Sequence, residues 1–91
     1  MGSPVFTPAA GTVASAGWDK IFGLLIVVDH GNGFKTFYGH NSELLKKTGD
    51  KVKRADIIAL SGNSGISTAP HLHYEIRLNE ETVDPAVYLG P

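Results

Sequence analysis

The sequence predicts an all-β sandwich or barrel, because strand-sized apolar runs alternate with turn signals every 8–12 residues or so. Eleven glycines and five prolines are spread over the 91 residues and supply those turns. The composition, 42% hydrophobic and 19% charged, is typical of a folded globular chain. A chain of this length is expected to form a single domain.

The expected strands follow one another between the turns. They are segments 4–8, 12–14, 24–28, 34–38, 51–54, 57–60 and 71–78. Segment 24–28 is continuously apolar and is therefore expected to be covered on both faces, and Ile57, Ile58 and Leu60 are expected to be buried. Segment 29–33 (DHGNG) is rich in residues that tolerate a positive φ, which predicts a hairpin. Segment 41–47 is the one stretch expected to make a helical turn.

Charge and composition exclude several function classes. The net charge of −1 gives no electrostatic case for nucleic acid. The chain has no cysteine, so it can form neither a disulfide nor a thiolate zinc site. No apolar run approaches the roughly 20 residues of a membrane span. One basic cluster is expected to be a solvated sheet edge, with an anionic-polymer docking patch as the alternative: Lys46, Lys47, Lys51, Lys53 and Arg54.

Two histidines lie one residue apart in the run HLHYEIRL. Side chains alternate along a strand, so His71 and His73 are expected on one face with Glu75, while the apolar residues between them face the core. His40 ends another expected strand, in FYGH. If the two strands meet there, three imidazoles converge on one groove; the alternative is a pair of solvent-facing polar residues.

Other residues have simpler interpretations. His30 lies beside the glycines of the expected hairpin turn and is interpreted as structural. Asp84 precedes Pro85 and is interpreted as a turn former, and Trp18 as part of the core or of a groove wall. No phosphate-binding glycine loop, nucleophile elbow or HExxH zinc motif occurs in the sequence.

Four segments together resemble the lysostaphin-type (LytM-like) zinc endopeptidases, which cleave peptidoglycan peptides. They are PVFTPAAGTV, IVVDHGNGFKTFYGH, GDKVKRADIIALSGNSGISTAPHLHYE and VDPAVYL. The resemblance runs over almost the whole chain, from Pro4 to Leu89, and its most specific part ends in the His-x-His. It implies a barrel-sandwich (duplicated hybrid) fold, an envelope location, and peptidoglycan peptides as partners.

The same resemblance implies roles for individual residues. His73 corresponds to a zinc ligand, and His40 and His71 to the catalytic pair beside the metal. In such sites zinc lowers the pKa of a bound water to about 7, and neighbouring imidazoles transfer its proton to the leaving amine. Four further positions are expected to support the ligands or line the groove: Tyr38, Asn63, Ser67 and Glu75.

One part of the family pattern is missing. The upstream His-x-x-x-Asp, which supplies the other two zinc ligands in that family, occurs nowhere in the 91 residues. We therefore expect residues 1–3 to be an added start and residues 4–91 to be a single peptidase-like domain lacking its N-terminal ligand segment. Zinc would then belong to the full-length parent, and the isolated chain would bind zinc weakly and be inactive or weakly active. The sheet edge uncovered in this way would favour self-association.

Two alternatives remain at this stage. The first is a non-catalytic module of the same fold that binds wall peptide or activates another hydrolase. The second is a lipoyl- or biotinyl-type carrier, which shares the sandwich architecture. A carrier presents a modifiable lysine at a hairpin tip, and the nearest candidates, Lys46 and Lys47, lie outside any recognisable tip motif.

Overall fold

A computed structural model describes residues 2–62, 73–79 and 81–83. The described residues form eight strands and no helix, which confirms the all-β prediction. The strands are β1 (Pro4–Phe6), β2 (Gly11–Asp19), β3 (Gly23–Gly31), β4 (Phe34–Leu44), β5 (Lys51–Val52), β6 (Ile57–Ser61), β7 (His73–Leu78) and β8 (Glu81–Val83). No membrane-crossing helix is therefore found in these ranges.

All strand pairs are antiparallel. The sheet runs β1-β6-β4-β3-β2-β5, and β7 pairs with both β4 and β8 outside this path. β3 and β4 are joined at Asn32 and Gly33, whose φ angles of 53° and 84° are those of a two-residue hairpin turn. At the β1 edge, Gly2 donates to the Ser61 carbonyl and Ser61 donates to that of Ser3, so both residues extend the β1–β6 ladder.

The hydrophobic core joins strands from both ends of this order. Its members are Val5 of β1, Val13 of β2, Ile26 and Val28 of β3, Tyr38 of β4, Val52 of β5, and Ile58 and Ala59 of β6. Because side chains of β1 and β6 pack with those of β2 and β5, the sheet folds over on itself around one core. This arrangement agrees with the expected barrel-sandwich architecture.

The long strand β4 changes neighbours part-way along one edge. Residues 34–39 pair with β7, and from Asn41 onward β4 pairs with β6, while β3 runs along the opposite edge. The prediction of a helical turn over 41–47 was wrong, because residues 41–44 continue strand β4, with Asn41 paired with Ser61 and Leu44 with Ala59. Ladder bonds to a distant strand outweigh the weak local preference of so short a segment.

The two ends of the sheet differ in polarity. Among the described strands, β5 pairs only with β2. Lys47, Lys51, Lys53 and Arg54 are exposed around it, as expected of a solvated basic edge, whereas Lys46 is half-buried. At the β1 end, Ile57 was expected to be buried but is 41% exposed beside its partner Phe6, which is 52% exposed. The core contact of β6 comes from Ile58 and Ala59 instead.

Candidate active site at the pairing of β4 and β7

The pairing of β4 with β7 brings two of the sequence-predicted histidine positions together. Gly39 lies opposite His73, and Phe37 lies opposite Glu75. Cα atoms of opposite residues are about 4.5–5.5 Å apart, so the backbone of His40 lies one residue from that of His73. The expected meeting of these two strands is confirmed. His71, Asn63, Ser67 and Asp84 lie outside the described residues.

The two faces of the β4–β7 pair have different characters. Thr36, Tyr38 and Ile76 are 3%, 1% and 2% exposed and face the core. On the other face the Arg77 guanidinium lies 4.1 Å from the centre of the Phe37 ring, a cation–π contact. By strand alternation, positions 73 and 75 belong to the Phe37–Arg77 face. The placement of the His73 and Glu75 side chains there stays a prediction.

His40 lies in a β-bulge. Tyr38 pairs with Ile26 and Asn41 with Leu24, so two residues of β4 oppose one residue of β3. His40 has a φ of 58°, the left-handed conformation that is uncommon for a residue with a side chain. A bulge of this kind changes the direction of a side chain and ends one pairing, and β4 leaves β7 for β6 at this residue.

Backbone bonds and one ring contact fix His40. Its N–H donates to the Phe22 carbonyl at 2.5 Å, and its carbonyl accepts from the Gly62 N–H at 3.0 Å. The Phe22 ring meets the imidazole edge to face, with centroids 6.5 Å apart and planes at 69°. The residue is 5% exposed. The imidazole is therefore held between the bulge and the connection of β2 to β3.

Asp19 organises that connection. Its Oδ1 accepts hydrogen bonds from the N–H groups of Ile21 at 2.8 Å and Phe22 at 2.9 Å. The bond from Phe22, followed by that from Ile21, lowers the pKa of the Asp19 carboxyl group because the N–H groups favour its charged form. The carboxylate therefore helps to hold Phe22 in the turn that contacts His40.

Sequence reasoning missed the role of Asn41. This residue is fully buried, and its Nδ2 donates to the carbonyls of Leu24 at 2.9 Å and Tyr38 at 2.8 Å. The available signal was an asparagine directly after Tyr-Gly-His in an apolar context. Asparagine side chains often form hydrogen bonds with irregular backbone, so the residue type suggested such a role. The sequence could not predict which carbonyls would accept the bonds.

Tyr38 does not line a groove as expected, because its side chain is buried in the core. The Tyr38 hydroxyl lies 2.6 Å from Thr36 Oγ1, and burial raises the pKa of the Tyr38 hydroxyl group. Thr36 Oγ1 in turn lies 2.7 Å from His30 Nε2, and the Ala10 carbonyl lies 2.9 Å from His30 Nδ1. Protein groups therefore meet both ring nitrogens of His30, which confirms the structural interpretation of this residue.

The volume of the open grooves does not identify the site. A groove of about 450 Å³ lies beside Gly11, Asp29 and His30. Asp29 pairs with Lys35, whereas Leu24, near His40, lies at the other end of β3. This groove is therefore remote from the positions of His40 and His73, which lie towards the other end of β3.

The described residues do not complete a metal site. Within 2–62, 73–79 and 81–83, no three His, Asp or Glu residues lie close enough together to hold a metal ion. A catalytic zinc needs three protein ligands and an open position. The donor groups that the structure describes at the β4–β7 pairing thus do not make up a full ligand set, and no chemical step through a metal follows from them.

Comparison with known proteins identifies the family. Residues 1–85 match the model of peptidase family M23. The chain belongs to this family. The match includes both FYGH and HLHYE, so the strands that meet in the candidate site lie within the matched domain.

Two relatives and two solved structures illustrate the range of the family. The chain is 45% identical to the peptidoglycan DD-endopeptidase ShyA of Vibrio cholerae over 76 residues, covering 84% of this chain and 18% of that protein. It is 39% identical to the murein hydrolase activator EnvC of Escherichia coli over 89 residues, covering 98% of this chain and 21% of that protein. The chain therefore spans about a fifth of the length of these curated relatives.

The solved structures agree with the fold. The catalytic domain of the antimicrobial peptidase lysostaphin from Staphylococcus simulans is 36% identical, with a TM-score of 0.91, covering 98% of this chain and 71% of that domain. A zinc-containing peptidase from Vibrio cholerae is 37% identical, with a TM-score of 0.89, covering 91% of this chain and 26% of that protein. The resemblance to lysostaphin-type enzymes is thereby confirmed.

Proposed function

We propose that this chain is the metallopeptidase domain of a bacterial cell-envelope protein that hydrolyses peptide bonds in peptidoglycan cross-links or cross-bridges. The observation that supports the proposal is the pairing of Gly39 with His73, which places the backbone of His40 one residue from that of His73 in an M23 domain. The similarity to a peptidoglycan endopeptidase and to the antimicrobial peptidase lysostaphin supports this substrate class.

His40 is proposed to move a proton during hydrolysis. A neutral imidazole accepts a proton from the attacking water, and an imidazolium returns it to the leaving amine. A catalytic base acts over hydrogen-bond distances, so its position must be fixed. The bulge, the hydrogen bond that the His40 N–H donates to the Phe22 carbonyl, and the one that the His40 carbonyl accepts from Gly62 fix the His40 backbone. His71 is proposed as the second member of this pair, by its place in the family motif.

His73 is proposed as the metal ligand that this chain contributes. When bound, zinc supplies an activated water at neutral pH. Since the 91 residues contain no His-x-x-x-Asp, we propose that the chain alone binds zinc weakly and that its remaining ligands lie in a segment outside these residues. Glu75 is proposed to hold the His73 ring in place, as carboxylates often do for metal-bound imidazoles.

Substrate contact is proposed for the connection of β2 to β3. Trp18 near the end of β2 is 68% exposed and Ile21 in the connection is 58% exposed, and Phe22 of that connection packs edge to face against His40. Exposed apolar side chains close in sequence to a residue that contacts a candidate catalytic histidine are suited to bind the apolar parts of a peptide. Trp18 is therefore interpreted as groove wall, one of its two sequence-based interpretations.

A second function is supported by one relative. The similarity to a murein hydrolase activator covers nearly the whole chain. The same groove would then bind a wall peptide or a partner hydrolase without cleaving a bond. His40 and His73 would be dispensable in that case, whereas the peptidase requires both.

The test is a peptidoglycan digestion assay on the chain extended upstream in its own reading frame and loaded with zinc. Release of new amino groups is measured for the parent, His40→Ala, His73→Ala and the control His30→Gln, which changes a histidine outside the site. We expect His40→Ala to lower the rate by about 10²–10⁴-fold, and His73→Ala to abolish it. Equal rates in all four proteins, or stimulation of an added wall hydrolase without intrinsic activity, would contradict the peptidase proposal.

A further inference from the structure

Asn41 ties together the two strands around the bulge. Its Nδ2 donates to the Tyr38 carbonyl on its own strand and to the Leu24 carbonyl on β3. Tyr38 and Asn41 delimit the two residues of β4, Gly39 and His40, that oppose a single residue of β3, and Leu24 is the residue that pairs with Asn41. One fully buried amide therefore closes the bulge on both sides.

The conformation held by this amide is unfavourable for the residue inside it. His40 has a φ of 58°, and in the left-handed conformation the Cβ of a residue lies too close to the following carbonyl oxygen. Strained conformations persist only where the surroundings determine them, and such positions are common at active sites. An extended His40 would remove the bulge and shift the pairing of the residues that follow it.

We propose that Asn41 is a positioning residue for His40. Its two hydrogen bonds hold the bulge that keeps His40 in the left-handed conformation and its ring against Phe22. The importance of this position for catalysis depends on the proposed peptidase function, but the structural effect does not. Asn41 itself contacts no reacting group in this scheme and acts through His40.

The test uses Asn41→Asp in the 91-residue chain at a pH where the aspartate is ionised, because the carboxylate keeps the size of the side chain and has no hydrogen-bond donor. The adjacent Ser42→Ala is the matched control, since the Ser42 hydroxyl donates to the carbonyls of Leu60 and Ser61 on β6 and does not bond across the bulge. Two NMR observables report on His40: the cross-peak between its ring and that of Phe22, and the three-bond HN–Hα coupling, which depends on φ.

We expect Asn41→Asp to lose the Phe22–His40 cross-peak and to move the His40 coupling to its extended value, while Ser42→Ala keeps both. If Asn41 only stabilised the fold, Asn41→Asp would lower the melting temperature and leave both observables unchanged below that temperature. An unchanged cross-peak and coupling in a folded Asn41→Asp protein would therefore overturn the proposal.

If the Asn41→Asp chain does not fold, the proposal is tested by adding the second substitution His40→Gly. Glycine adopts a positive φ without a Cβ penalty, so the bulge should need less support. We expect His40→Gly to restore the fold of the Asn41→Asp chain. Failure to restore it would show that Asn41 supports the protein in another way and would overturn the proposal.

Activity adds an independent measurement in the extended, zinc-loaded protein. If that protein is a peptidase, Asn41→Asp should lower kcat with little change in KM, since a misplaced His40 affects the chemical step and not substrate binding. If no peptidase activity is found, the NMR result still stands. Failure of the positioning role and failure of the proposed function are thus distinguishable.

Discussion

At the scale of single residues, the residues with a left-handed backbone differ in whether they lie at the candidate site. Among the described residues, Asn32, His40, Ala55 and Asn79 are the residues other than glycine with a positive φ. Asparagine tolerates this conformation better than most residues do. His40 adopts it at the candidate site, whereas Ala55 adopts it in an exposed turn.

Ala55 provides a stability test of this distinction. Its φ is 70°, a left-handed conformation that glycine adopts without a Cβ penalty. We expect Ala55→Gly to raise the free energy of unfolding by about 0.5–1 kcal/mol, because relief of a roughly 1–2 kcal/mol strain exceeds the entropic cost of glycine. Chemical denaturation measures the change.

The control for this substitution is Ala9→Gly, at an exposed position without a positive φ. It should lower the free energy of unfolding by about 0.4–1 kcal/mol through the unfolded chain. Destabilisation of equal size by both substitutions would contradict the assigned conformation of Ala55.

Asp19 gives a pH-dependent prediction. Its folded-state pKa lies below the ordinary value of 3.8 because Phe22 and Ile21 donate hydrogen bonds to the carboxylate. The carboxylate therefore stabilises the folded turn above the unfolded pKa, and this contribution is lost as the pH falls through the lower, folded pKa. An NMR titration should show Asp19 titrating below 3.8, with weakening of the Phe22–His40 ring contact over the same range.

Asp19→Asn is the matched control, since its amide oxygen can accept the same bonds without titrating. Its Phe22–His40 contact should not change with pH across this range. A titration of Asp19 above the ordinary value would contradict the hydrogen-bonded turn. Both hydrogen bonds join residues two or three positions apart, so the sequence spacing is compatible with them. The ring contact between Phe22 and His40 depends on the placement of β4 and could not be predicted from the sequence.

At the scale of strands, β4 explains what the sequence could and could not predict. Alternation along β4 and β7 correctly placed Ile76 towards the core and Arg77 on the other face. The continuation of β4 through Gly39 and His40 to Leu44 was missed, because its partner β6 lies more than a dozen residues further along the chain. Non-local pairing overrides local propensity in sheets.

Two glycines of β2 test the strand packing. A Cβ on Gly11 would lie 2.5 Å from the Asp29 carbonyl oxygen and 2.9 Å from Val28 Cγ1, whereas one on Gly17 would meet no atom within 4 Å. We expect Gly11→Ala to lower the free energy of unfolding by about 1–3 kcal/mol, as overpacking does. Thermal or chemical denaturation measures the loss.

Gly17→Ala is the control on the same strand, and it should be neutral or stabilising by up to about 1 kcal/mol. Equal losses for the two substitutions would indicate a general intolerance of alanine in β2. That result would contradict the close approach of Gly11 to β3.

At the scale of the whole molecule, sequences similar to this chain occur in proteins with different functions, an endopeptidase and a hydrolase activator among them. The fold class and the family could be predicted from the sequence, since FYGH and HLHYE are specific motifs at characteristic spacing. The function of a given chain depends on its donor groups. This chain has four histidines and no cysteine.

The central claim is that this scaffold brings His40 and His73 together but does not by itself supply a full zinc ligand set. Zinc content measured by mass spectrometry after dialysis against dilute zinc tests the claim directly. We predict far less than one zinc per 91-residue chain, one per chain extended upstream in its own reading frame, and loss of that zinc in His73→Ala. One tightly held zinc in the 91-residue chain alone, or zinc retained after His73→Ala, would contradict the account.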